Sequence, residues 1–227
     1  MSFLWKSSIG RKLIMSITGT ALVLFLLFHM SMNLVAIFSA DAYNMICAFL
    51  GANWYALVAT VGLAALIGIH FIYAFLLSWQ NFRARGTQRY AQRKNPGVSW
   101  ASRNMLVIGI IVVGGILVHL FHFWAKMQLV EILGHHENSL GLSPTDGYGL
   151  IARLFSNPLY CVVYLVWFAA IWFHLSHGIW SAIHTVGWNN QVWEKRLKAI
   201  SYIFATVVCL GFALVVVFFY LKSIGLF

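Results

Sequence analysis

Six of the nine histidines, His29, His70, His119, His122, His174 and His177, fall within or beside long apolar runs of this 227-residue chain. The stretch IWFHLSHGIW holds two of them, three residues apart. An imidazole can ligate a metal, carry a proton or hydrogen-bond a neighbouring helix. In hydrocarbon a polar side chain is costly and tends to mark function. A helix–helix hydrogen bond accounts for any one of these residues, but less well for their distribution: the first four apolar runs each contain at least one deep histidine and the fifth contains none.

Depth follows from the helical rise. Counted from Lys12, His29 lies roughly 25 Å from the inner surface, and counted from Arg103, His119 lies roughly 24 Å from it. Those two are level, in the outer half. His70 lies roughly 20 Å before Arg83, and His174 roughly 24 Å past Pro158 from the outer end, which sets a second level nearer the cytoplasm. Two histidine pairs at two depths on four helices suit two bis-histidine haems, whose saturated iron favours electron transfer over oxygen chemistry. Gly19, Gly62, Gly68, Gly114, Gly115 and Gly178 lie in or near the same runs, where a missing side chain admits either a macrocycle or ordinary small-residue helix packing. A metal transporter or a proton relay would also place imidazoles mid-membrane. Either would usually add carboxylates or cysteines beside them, and the runs contain no Asp or Glu.

The elements that must position these residues are five apolar runs near 13–38, 55–80, 104–127, 158–182 and 199–222, each long enough to cross a bilayer core as a helix. Hydrophobic residues make up 61% of the chain and charged residues 9%, with a mean hydropathy of +0.82, a balance that excludes a soluble globular protein. The expected fold is an all-α integral membrane protein, a single domain over 1–227 built as a five-helix transmembrane bundle that binds two haems b. The first run follows a basic start and Ala40-Asp41-Ala42 imitates a cleavage site, but its apolar part is too long for a signal peptide and is read as a span.

Twelve of the fifteen Lys and Arg residues fall on one side: Lys6, Arg11 and Lys12; Arg83, Arg85, Arg89, Arg93, Lys94 and Arg103; and Lys195, Arg196 and Lys198. The other side has Lys126, Arg153 and Lys222 together with Asp41, Glu131, Glu137 and Asp146. The positive-inside rule therefore places the N-terminus in the cytoplasm and the C-terminus outside. Lipid orientation also explains the net charge of +10 more economically than nucleic acid, which is not expected as a partner. Arg11, Lys12, Arg83 and Arg103, closest to the membrane, are candidates to contact haem propionates or a docked subunit. Cys47, Cys161 and Cys209 are far apart with no CxxC or CxxCH, so they read as small buried hydrophobes. The loop from about 128 to 157 has the Gly, Pro, Asn and Asp content of an ordered or partly helical surface loop. Aromatic residues, 16% of the chain, suit either a ligand pocket or the two interfacial belts.

FHMSMN around His29, LIGIHFIYAFLLS around His70, HLFHFW from His119 and WFHLSHGIWS around His174 carry a resemblance. From SSIGRKLIMSITG to the last span, the chain resembles the five-helix, di-haem cytochrome b anchor of succinate:quinone oxidoreductases, the family of succinate dehydrogenases and fumarate reductases. The resemblance implies that His29 with His119 ligates the haem distal from the catalytic subunits, and His70 with His174 the proximal haem. It favours His119 over His122 as ligand, because the position three residues on varies in the family. It gives His177 a packing or neighbouring role, with His122 and His177 as possible quinone-site residues. His184, ten residues beyond His174, falls near the cytoplasmic surface.

The resemblance also implies partners: a flavoprotein that interconverts succinate and fumarate, an iron–sulfur subunit that delivers electrons, and menaquinone near the distal haem on the outer side. The implied location is the bacterial inner (cytoplasmic) membrane. Some fumarate reductases of the group use a membrane carboxylate near the quinone site, which these spans do not offer; His122 is the alternative proton acceptor. Two other readings stay open, a di-haem cytochrome subunit of a formate dehydrogenase, hydrogenase or nitrate reductase, and a membrane transporter with structural histidines.

Overall fold

The computed structural model describes residues 7–84, 100–188 and 190–227. Lys6, Arg85, Arg89, Arg93 and Lys94, counted on the basic side above, lie outside the described residues. Helix α1 (Ser8–Phe38) begins where the Ser7 side chain accepts the Gly10 N–H at 2.9 Å. It ends at Ser39, whose N–H reaches the Val35 carbonyl and whose hydroxyl accepts from Ala42 N, so one residue closes α1 and opens α2 (Ala40–Phe49). Helix α3 (Trp54–Ala84) returns across the apolar layer. A single turn, α4 (Trp100–Arg103), precedes α5 (Met105–His122), which runs on through a 3₁₀ turn at Trp124–Lys126 into α6 (Gln128–Ile132). Helix α7 (Gly147–Phe155) starts on the Asp146 side chain. In α8 (Pro158–Thr185), Asn157 supplies the cap and Pro158, which lacks an N–H, takes a first-turn place where none is needed. Gly187, with φ +85°, turns the chain after α8, and Asn190 caps α9 (Gln191–Ser223) through Val192 N and Trp193 N.

Among the described residues five helices, α1, α3, α5, α8 and α9, are long and apolar enough to cross a membrane. The described residues are thus all-helical and form a multi-pass membrane protein, whose spans contain four of the runs expected from the sequence in full and the third, 104–127, but for its two end residues. Apolar side chains that face outward, such as Val58 and Val61 on α3, Leu117 on α5 and Ile203 on α9, suit lipid as solvent.

Helices α8 and α9 share the most extensive contact, and α1 lies against α3, α8 and α9. Helix α5 packs mainly on α8, whereas α3 and α5 touch each other little. At the end of the bundle that carries α2, α6 and α7, here termed the outer end, Leu150, Ile151 and Phe155 of α7 form a buried core with Val215, Val216 and Phe219 of α9.

A polar cap ties the outer loops together. Gln128 donates to the Gly51 carbonyl and accepts from Thr60 and from the Trp124 indole, each at 2.9 Å. Glu131 accepts from Ala52 N, and Asn44 donates to Asp146 while accepting from Tyr148 N. These bonds connect the outer ends of α3 and α5, which are otherwise poorly joined.

Candidate functional site

Four of the predicted histidines meet in two pairs. The rings of His29 on α1 and His119 on α5 have centroids 5.8 Å apart at an interplanar angle of 85°. Those of His70 on α3 and His174 on α8 lie 6.2 Å apart at 67°. All four are half-buried. A metal held between two imidazole nitrogens by bonds of about 2 Å separates the ring centres by about 6 Å, so both pairs have the spacing of shared axial ligation. Among the described residues no three His, Cys, Asp or Glu side chains converge as a metal site, which leaves pairs rather than larger clusters.

The pairs stand at two levels. His29 and Thr18, which contacts His70, are eleven residues apart on α1, roughly 16 Å along the axis. The difference in level is thus larger than counting from the flanking basic residues suggests. Arg83 is a poor depth marker because it lies in the last turn of α3 with its guanidinium folded back over the Trp79 ring at 5.1 Å.

The outer pair sits in an aromatic cage. Phe25 stacks on His29 with ring centroids at 5.4 Å, and Phe212 approaches His29 at 5.7 Å. Phe123 and Trp167 lie 5.0 and 5.8 Å from His119. The Trp167 indole donates to the Val112 carbonyl at 3.1 Å. One turn outward, His122 is buried at 8% exposure; its Nδ1 lies 3.2 Å from the Tyr164 hydroxyl and its ring meets Tyr160 edge-on at 4.8 Å.

The inner pair is more polar. His70 Nδ1 lies 3.1 Å from the Thr18 hydroxyl, while Nδ1 of His174 is buried with no hydrogen-bond partner among the described residues. His177 is in the same condition at Nδ1, and its ring meets Trp180 edge-on at 5.5 Å. His184 is exposed at the inner end of α8. At that end Lys12, Arg83 and Arg103 are exposed and Arg11 is half-buried.

The glycines divide into two groups. A side chain on Gly19 would press on the His70 ring, and one on Gly115 would collide with the Trp167 indole. At Gly62, Gly68, Gly114 and Gly178 a Cβ would meet nothing within 4 Å among the described residues. Sequence reasoning did not single out Thr18, Tyr164, Trp167 or Gln128. A hydroxyl or indole in an apolar run was the available signal, and it is shared by many residues that face the interfaces.

The chain matches no protein-family model, and no curated protein or solved structure matches it significantly.

Proposed function

We propose that the chain is the membrane anchor and electron-transfer subunit of a succinate:menaquinone oxidoreductase. The observation that supports this reading is the pair of histidine pairs, each at the spacing of two axial ligands and stacked at two levels of one bundle. His29 with His119 and His70 with His174 would hold two haems b. Haem ligated by two imidazoles supplies reversible one-electron transfer and leaves no open position for oxygen. The side chains of the chain fit such a group: Phe25, Phe123, Trp167 and Phe212 give the outer pair apolar, aromatic surroundings, and Gly19 leaves room for the His70 ring.

In this reading the flavoprotein and the iron–sulfur subunit dock on the basic end, where Arg11, Lys12, Arg83 and Arg103 offer cations to a propionate or to an acidic face. That end is cytoplasmic, in the inner membrane of a bacterium, and the C-terminus is outside. Dicarboxylate chemistry belongs to the partner. Quinone reacts at the outer level, where His122 and Tyr164 hold a proton between Nδ1 and the phenol oxygen.

The purified complex, reduced with succinate, is expected to show two low-spin b-type spectra. A haem-free preparation from haem-replete cells would overturn the proposal and favour a transporter. A co-purifying molybdenum or nickel subunit in place of a flavoprotein would indicate a different quinone-linked dehydrogenase.

A further inference from the structure

The two inner histidines differ in what their second ring nitrogen touches. The Thr18 hydroxyl, 5% exposed in α1, has a single proton, which it donates to the carbonyls one turn back: Ile14 at 2.8 Å and Met15 at 3.2 Å. With its proton committed, the oxygen faces His70 Nδ1 at 3.1 Å with a lone pair. With the Thr18 oxygen as acceptor the contact requires a donor, so His70 has its proton on Nδ1 and its lone pair on Nε2. The next residue, Gly19, lets the ring lie close: a Cβ there would come within 3.2 Å of His70 Cε1. Thr18 and Gly19 thus form a seat on α1 for a side chain that α3 contributes. Nδ1 of His174 has no hydrogen-bond partner among the described residues, so Thr18 orients one member of the inner pair.

The geometry points to Thr18 as a positioning residue for the inner cofactor: its hydroxyl fixes the tautomer and orientation of His70 and raises the basicity of the ligating nitrogen. This rests on the proposed ligation by His70 and His174. An acceptor on the far nitrogen of a ligating imidazole makes it a stronger donor to the metal, and loss of such partners costs on the order of 10–100-fold in affinity. A stronger donor favours oxidised iron, so removal of the acceptor raises the midpoint potential of that haem.

The test compares Thr18→Val, which preserves shape without the acceptor, Thr18→Ala, which also removes bulk, and Thr18→Ser, which keeps the hydroxyl. Each is made in the whole complex and read by haem content and redox titration of both haems. The inner haem is identified as the one lost in His174→Ala, and the outer haem serves as internal reference. Thr18→Val and Thr18→Ala should shift the inner midpoint upward and weaken inner haem retention at least tenfold, with the outer haem unmoved and Thr18→Ser close to the parent. Two retained haems with unmoved potentials in the Val and Ala variants, or a shift confined to the outer haem, would overturn the assignment of Thr18 while the ligation stands. Absence of haem from the parent complex would overturn the ligation itself.

Discussion

The Trp167 indole lies directly over Gly115, so close that a Cβ there would collide with Nε1 and Cδ1. The same indole donates to the Val112 carbonyl one turn back on α5 and contacts His119 with ring centroids at 5.8 Å. A glycine is therefore required opposite the tryptophan that fixes the His119 ring. Gly115→Val is expected to push the indole out and break its hydrogen bond and, on the proposed ligation, to cost the outer haem while the inner haem remains. Haem content per complex and the spectrum of the remaining haem check this, and equal loss of both haems would point to general unfolding instead.

On the proposed ligation each pair of rings holds one haem, His29 with His119 and His70 with His174. Alanine at His29 or His119 should remove one haem, and alanine at His70 or His174 the other, with pyridine haemochrome absorbance near half the parent value in each case. His177, one turn past His174 with its ring against Trp180, should retain both haems when changed to alanine. A His177→Ala variant that loses the inner haem while His174→Ala keeps it would reverse the assignment.

What was legible in the sequence was set by hydrocarbon. Five long apolar runs and histidines at matched depths follow from rules that hold one residue at a time, because a bilayer penalises each polar group separately. The seat of His70 was not legible in this way. Thr18 and Gly19 are 52 and 51 residues from His70, and a threonine that bonds its own helix looks the same in sequence whether or not an imidazole lies beyond it. The outer cap was hidden for a related reason. Helix α2 has ten residues and its role depends on partners about a hundred residues on, such as Asp146 and Tyr148 with Asn44. The aromatic cage was ambiguous because an aromatic belt and a ligand pocket use the same residue types.

Gln128, at 8% exposure, satisfies three separate groups of the outer cap. Gln128→Leu leaves the Gly51 carbonyl, the Thr60 hydroxyl and the Trp124 N–H without this partner. Each buried group left unpaired costs about 1–3 kcal/mol. The variant should lower the thermal midpoint in detergent, and a Thr60→Val, Gln128→Leu double mutant should lose less than the sum of the two single losses. Additive losses would show that the cap is not a coupled unit.

Cys47 lies in α2, outside the five spans, beside Tyr43 and Gly147. Burial, the largest cause, pushes its thiol up from 9.0 to about 11, with the nearby Asp146 carboxylate adding to the rise and hydrogen bonds from Tyr43 and Gly147 opposing it. The folded state therefore holds the proton more tightly than the unfolded state. Its stabilising contribution is complete below pH 9 and is lost as the pH rises through about 11. Cys47→Ala should flatten the fall of unfolding temperature over that window, and an unchanged slope would show that Cys47 is not responsible. At pH 7.5 maleimide labelling of Cys47 should be slow in the folded protein and fast after unfolding.

The Tyr164 hydroxyl, 3.2 Å from His122 Nδ1, is the one polar atom of a side chain otherwise packed among Phe155, Trp167 and Phe168. Tyr164→Phe keeps that packing and the ring beside His119, so both haems should be retained with unaltered spectra. What it removes is a proton-bearing group at the outer level, where the spans have no carboxylate to replace it. General acid–base groups contribute about 10²–10⁴-fold to a rate. Succinate-driven reduction of a menaquinone analogue should therefore slow at least tenfold, while succinate still reduces both haems. Unimpaired quinone reduction in Tyr164→Phe and His122→Phe would assign the proton to another group and leave the His122–Tyr164 contact a structural one.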